Sequence, residues 1–102
     1  MQNKTTDLEA NAKKATKHPK IKRAIQCIKM LKKYGRENWY KYDNNMNIIK
    51  YPSQRMLTWA YDLEDFASDI AFYRDPNMDK LWEAYCQVNG IDSAIEVSGY
   101  FS

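Results

Sequence analysis

Glycine, histidine and cysteine are scarce in this chain: three, one and two residues of 102. Each scarcity removes a class of chemistry. Gly35, Gly90 and Gly99 stand apart from one another, so there is neither a P-loop nor a GxGxxG turn, both of which need grouped glycines to bring backbone N–H groups onto phosphate. His18 is the sole imidazole, and Cys27 and Cys86 are distant, with no CxxC or HExxH spacing. A zinc site from this chain is therefore not expected, and no metal or cofactor is assigned. His18 sits among lysines beside Pro19, which suits a solvent-exposed residue just ahead of a helix better than the oriented base of a catalytic triad. The two thiols fall within helical patterns and read as small buried or half-buried side chains of a reducing compartment, without a disulfide.

Long apolar runs are missing too. None approaches the roughly 18 residues that span a bilayer, and the polar start "MQNKTTDLEANAKK" offers no apolar stretch for a signal peptide. The expectation is a cytoplasmic protein with no membrane partner. The last absence is of acid: no Asp or Glu occurs between Glu9 and Glu37. Residues 1–36 carry eleven basic and two acidic groups, a net of +9, whereas the other 66 carry five and eleven, a net of −6. Such division marks either a surface for an anionic partner or two halves that neutralise each other on folding.

What is present is globular: 44% hydrophobic, 28% charged and 14% aromatic residues, enough for one modest core in a single domain, 1–102. Thr6 and Glu9 form a capping-box pattern, but little beyond Leu8 and alanines follows it to bury. Residues 1–17 therefore read as a weak helix or mobile basic arm. The segment "PKIKRAIQCIKMLKKYG" is a stronger helix, with Pro19 at its first turn, Gly35 past its end, and Ile21, Ala24, Ile25, Ile28 and Leu31 on one face. Lys22, Lys29 and Lys33 cluster within about 40° on the opposite side. Next, "ENWYKYDNNMNIIKYPS" places two β-prone runs about the turn formers Asp43, Asn44 and Asn45, which predicts a hairpin. Trp39, Tyr40 and Tyr42 fall on its first strand, Ile48, Ile49 and Tyr51 on its second, and one face is expected to pack on the helices.

Ser53 caps a third helix running toward Asp75. Met56, Trp59, Ala60, Leu63, Phe66, Ala67, Ile70 and Ala71 form its apolar arc, extended by Leu57, Tyr61 and Phe72; Asp62, Asp65 and Asp69 lie opposite within about 60°. Asp75, Pro76 and Gly90 bracket a fourth helix that buries Met78, Leu81, Trp82, Tyr85 and Val88. The end, 91–102, reads either as a short helix or as a tail folded back through Tyr100 and Phe101. The fold class predicted is α+β, mainly α: three to four helices around a core, with one small β-hairpin between the second and third helices.

Two charges project into apolar arcs, Lys32 and Glu64; either each reaches water at a helix edge or the two pair across the interface. Asp43, Asn45 and Asn47 match the first three oxygen ligands of an EF-hand loop, but Ile48 replaces its glycine and Gln54 its glutamate, so a plain turn is preferred. A carboxylate stripe on one exposed helix face lacks the cleft and third partner that acid–base catalysis requires, and an enzyme is not expected. The chain reads instead as a non-enzymatic interaction module, a small inhibitor that binds and blocks a host protein or nucleoprotein complex engaged in nucleic-acid handling or defence. Abundant Lys, Asn, Ile and Tyr, as AT-rich coding sequences produce, suggest phage or mobile-element origin. Lys22, Lys29, Lys33 and Arg36 are the basic contact candidates, Trp39, Tyr40 and Tyr42 the aromatic ones, and Asp62, Asp65 and Asp69 a candidate mimic of nucleic-acid phosphates. The alternative is nucleic-acid binding by the basic helix 19–34 and the hairpin aromatics, and a homodimer is a third option.

Overall fold

Proline and glycine set the limits of the helices. In the computed structural model, which describes residues 4–72 and 75–91, the chain runs α1 (Lys4–Ala15), α2 (Pro19–Tyr34), a 3-10 turn (Arg36–Asn38), β1 (Lys41–Tyr42), β2 (Ile48–Lys50), α3 (Gln54–Ala71) and α4 (Pro76–Asn89). This is the expected mainly helical α+β fold, with its antiparallel hairpin between the second and third helices. Beyond Ile91, the helix or tail anticipated at the C-terminus lies outside the described residues.

Pro19 opens α2 because its missing N–H and fixed φ cost nothing there; His18 precedes it in extended conformation, and its carbonyl accepts the Lys22 N–H at 2.8 Å. Gly35 ends it with φ 79° and ψ 164°, a region essentially reserved for glycine, while its N–H donates to the Leu31 carbonyl at 2.9 Å. Ser53 Oγ accepts the Met56 N–H at 3.3 Å and caps α3. Asp75 Oδ1 accepts from the N–H groups of Asn77 and Met78 at 3.1 and 3.2 Å and caps α4, which Gly90 closes in the left-handed region.

α2 packs chiefly on α3, and α1 chiefly on α4. Ile21, Ala24, Ile28 and Leu31 meet Met56, Trp59, Leu63 and Phe66 in one core with Met78, Leu81 and Trp82. Phe66 and Trp82 touch edge to face at 5.0 Å and tie α3 to α4. Each of the buried Ile, Leu, Met and Phe side chains contributes about 1.5–3 kcal/mol by leaving water. Cys27 and Cys86 are buried, as expected, and burial pushes the Cys27 pKa up.

Four expectations need correction. Of the two readings of the N-terminal stretch the helix is the one found, over residues 4–15, and Thr6 lies inside it instead of capping it. Twelve residues make a marginal helix alone. Buried Ala12 and Ala15 supply the missing stability, because small side chains let α1 approach α4, whose Ala84 is buried as well. On α4 the buried arc is turned accordingly: Ala84 and Cys86 are inside, Tyr85 is half-buried and Val88 exposed. α3 buries only one side, leaving Tyr61, Ala71 and Phe72 in water. His18 is half-buried, with Nδ1 unpartnered and Nε2 3.8 Å from Asp75 Oδ2. Lys32 and Glu64 are both exposed and, among the described residues, make no ion pair, so the solvated alternative holds.

The hairpin departs furthest from expectation. Its strands have only two and three residues, pairing Lys41 with Lys50 and Tyr42 with Ile48 across an irregular register. Trp39 and Tyr40 precede β1 instead of lying on it. Neither strand packs closely on a helix, and every residue from Asn44 to Tyr51 is exposed.

Candidate functional site

The basic face of α2 is built as its periodicity requires. With Ile21, Ala24, Cys27, Ile28 and Leu31 drawn into the core, Lys22, Lys29 and Lys33 turn to solvent. Lys22 and Lys29 line a groove with Thr16, Ile25, Gln26, Met30 and Tyr85. It adjoins a second depression lined by Ile25, Ile28, Lys29, Lys32, Tyr85 and Ile91. Tyr85 belongs to both and stacks on Trp82 at 5.9 Å, and burial pushes its phenol pKa up. Arg36 lies beyond the helix, exposed on the 3-10 turn.

The acidic stripe has partners inside the fold. Nε and Nη2 of Arg23 both donate to Asp62 Oδ2, at 2.9 and 2.7 Å, and Lys20 Nζ donates to Asp69 Oδ2 at 3.1 Å. The hydrogen bonds from Asp62 push the Arg23 guanidinium pKa further up. Thus the charge division is partly closed across the α2/α3 seam, by Lys20 and Arg23 rather than by Lys22, Lys29 and Lys33. These pairs are accessible enough that each is worth at most about 1 kcal/mol. Asp65 stays exposed. Two of the three carboxylates, Asp62 and Asp69, thus face α2.

At the hairpin, Asp43 shapes the turn. Its Oδ1 accepts the N–H groups of Asn45 and Asn47 at 2.8 and 2.9 Å, and the Asn47 carbonyl accepts the Asp43 N–H at 2.9 Å. Those bonds, the Asn47 one foremost, hold the Asp43 carboxyl below its usual range. The oxygen that would be a first calcium ligand is therefore occupied by the turn. Met46 takes a positive φ of 65°, a left-handed conformation that costs a side-chain-bearing residue about 1–2 kcal/mol. Below the turn Tyr40 gathers Trp39, Tyr42 and Tyr51, with ring centroids at 5.3, 6.5 and 5.9 Å. The base is tied down: Trp39 packs on the core, and Lys50 Nζ donates to the Glu37 carbonyl at 3.0 Å.

Of the aromatic candidates, Tyr42 is exposed, while Trp39 and Tyr40 are half-buried supports. The outermost apolar groups were not singled out from sequence: Met46 is 75% exposed, Tyr51 67% and Ile49 65%. The available signal was the run Ile48-Ile49-Lys50-Tyr51, whose adjacent isoleucines put apolar groups on both faces of one strand, more than a single packing surface covers. Among the described residues, no group of three His, Cys, Asp or Glu side chains is placed to hold a metal ion, and no helix is long and apolar enough to cross a membrane. No protein-family model, curated protein or solved structure matches the chain.

Proposed function

We propose that this protein is a non-enzymatic interaction module that inserts the tip of its hairpin into a partner protein and blocks the surface it occupies. The observation that carries this is the exposure of Met46, Ile49 and Tyr51 on a hairpin whose strands pack closely on no helix yet whose base is fixed by Trp39 and Lys50. An apolar group held rigidly in water gains free energy when a partner covers it and loses little entropy in the process. Tyrosines beside aliphatic anchors are the composition of interface hot spots. Two strands this short offer few free backbone groups, so side-chain insertion fits better than strand addition.

Charge refines the partner. Lys41 and Lys50 face each other across the strands, a like-charge pairing that a neighbouring anion relieves. An apolar pocket edged by carboxylates suits the tip, as on a host protein that handles nucleic acid or takes part in defence. The same lysines favour the second reading, nucleic-acid binding with Tyr42 and Tyr51 stacking on bases.

Quantitative affinity capture with wild type, Ile49→Glu and Lys29→Glu separates the two. A specific protein retained by wild type and Lys29→Glu but lost by Ile49→Glu supports insertion. Oligonucleotide binding that falls steeply with salt and is weakened by Lys29→Glu, with no protein dependent on Ile49, overturns it.

A further inference from the structure

A groove between α2 and α4 is lined by no residue of the hairpin. Its floor is apolar: Ile25, Met30, Tyr85 and Ile91 are each half-buried, and Ile28 is buried beneath them. Its rim is basic: Lys22, Lys29 and Lys32 are exposed, and none of their side chains takes part in an ion pair or hydrogen bond among the described residues. No lining residue is acidic. The nearby cations Lys20 and Arg23 are already matched to Asp69 and Asp62, so among the described residues three of the four α2 lysines without an ion pair, all but Lys33, line this groove. At about 1.5 Å per residue, Lys29 and Lys32 lie roughly 10 and 15 Å from Lys22 along the axis. A single carboxylate engages one such site. Three lysines strung over about three turns call for a row of carboxylates beside an apolar strip.

We infer that this groove receives an acidic amphipathic helix from a partner protein, with apolar residues at i, i+3 or i+4 and i+7 on the Ile25/Tyr85 floor and flanking Glu or Asp residues against Lys22, Lys29 and Lys32. This is the helix-in-groove mode, in which apolar anchors supply affinity and rim charges supply orientation and association rate. The α2 helix of a second copy is a poor occupant, because its exposed face is basic. A polynucleotide meets the lysines but leaves the floor uncovered.

The test is fluorescence anisotropy of a labelled designed peptide of about 14 residues with Leu at i, i+3 and i+7 and Glu on both flanks, titrated with the full chain. A control peptide has Lys in place of every Glu. Expected are saturable binding of the Glu peptide that weakens several-fold between about 50 and 300 mM salt, and a loss of about tenfold on Lys22→Glu with Lys29→Glu. The Lys peptide, ignored by wild type, should bind that double variant; this charge swap also shows that the variant is folded. Ile49→Glu should leave all of this unchanged, which keeps the test separate from the hairpin proposal. Equal binding of both peptides to wild type, or an unchanged affinity in the double variant, would overturn the assignment. So would displacement of the Glu peptide by a single-stranded oligonucleotide, or by a synthetic peptide of residues 92–102, which carries Asp92 and Glu96 and would make the chain its own ligand.

Discussion

The helical body and the hairpin treat the same residue types in opposite ways. Ile21, Leu31, Met56 and Met78 are wholly buried, whereas Ile49 and Met46 stand mostly in water. In the body, apolar side chains hold the fold together. In the hairpin the backbone turn is held by polar groups, Asp43 above all, and the apolar side chains of Met46, Ile49 and Tyr51 stay exposed. Residues that cost solubility without adding stability are best explained by what they touch in a complex.

The sharpest break in that comparison is a pair of truncations. Leu31→Ala empties a site with no exposure and should cost about 2–5 kcal/mol, whereas Ile49→Ala should change stability by no more than about 0.5 kcal/mol. Urea denaturation followed by circular dichroism measures both. Equal losses would show that the hairpin is part of the folded core and remove the basis for its role as a contact surface.

Next in size is the joint between the two regions. Gly35 sits at φ 79° and ψ 164°, and a Cβ there would run into the Glu37 side chain. Gly35→Ala should destabilise by about 1–3 kcal/mol, because the chain must leave α2 in this conformation to reach the 3-10 turn and hairpin. A loss under half a kcal/mol in the same denaturation assay would mean that the joint relaxes freely and does not aim the hairpin.

Met46→Gly should then act with opposite signs on the two properties. Glycine at a positive φ removes local strain and should stabilise the turn by up to about 1 kcal/mol, seen as stronger cross-strand nuclear Overhauser effects, while partner binding falls with the loss of the tip side chain. If binding rises together with turn order, Met46 is a spacer and Ile49 and Tyr51 carry the contact.

The same contrast explains what was legible in the sequence. Caps and helix limits were readable at Pro19, Gly35, Ser53, Asp75 and Gly90, because each is a local backbone requirement met by one or two residue types. Single-face burial on α2 was readable because Ile21, Ala24, Ile28 and Leu31 recur at helical spacing. The docking of α1 was not, because Ala12 and Ala15 stabilise it through how closely α4 approaches, a tertiary property with no hydrophobic signature. The pairing of Asp62 and Asp69 with Arg23 and Lys20 was hidden likewise: helical projection shows which residues share a face but not which neighbour that face meets. At the hairpin the aromatic richness suggests a packing face, whereas neither strand packs closely on a helix and Met46, Ile49 and Tyr51 stand exposed.

The smallest effect expected is confined to the turn. The N–H groups of Asn47 and Asn45 stabilise the charged form of Asp43, so its pKa in the folded hairpin lies below the unfolded value of about 3.9. A carboxyl depressed on folding lends stability that is fully present above its unfolded pKa and is lost as pH falls through the lower folded value. The turn should therefore be insensitive to pH from neutrality to about pH 5 and loosen only in stronger acid. Two-dimensional NMR of the Asn45 and Asn47 amides reads this locally: their shifts should titrate together with a midpoint below the usual aspartate range, and Asp43→Asn should abolish the titration. A midpoint at or above that range would mean that the carboxylate is not held by those amides in solution. The tip would then lack the preorganisation that distinguishes it from an ordinary loop, and the hairpin's claim to be a rigid contact element would rest on Trp39 and Lys50 at its base alone.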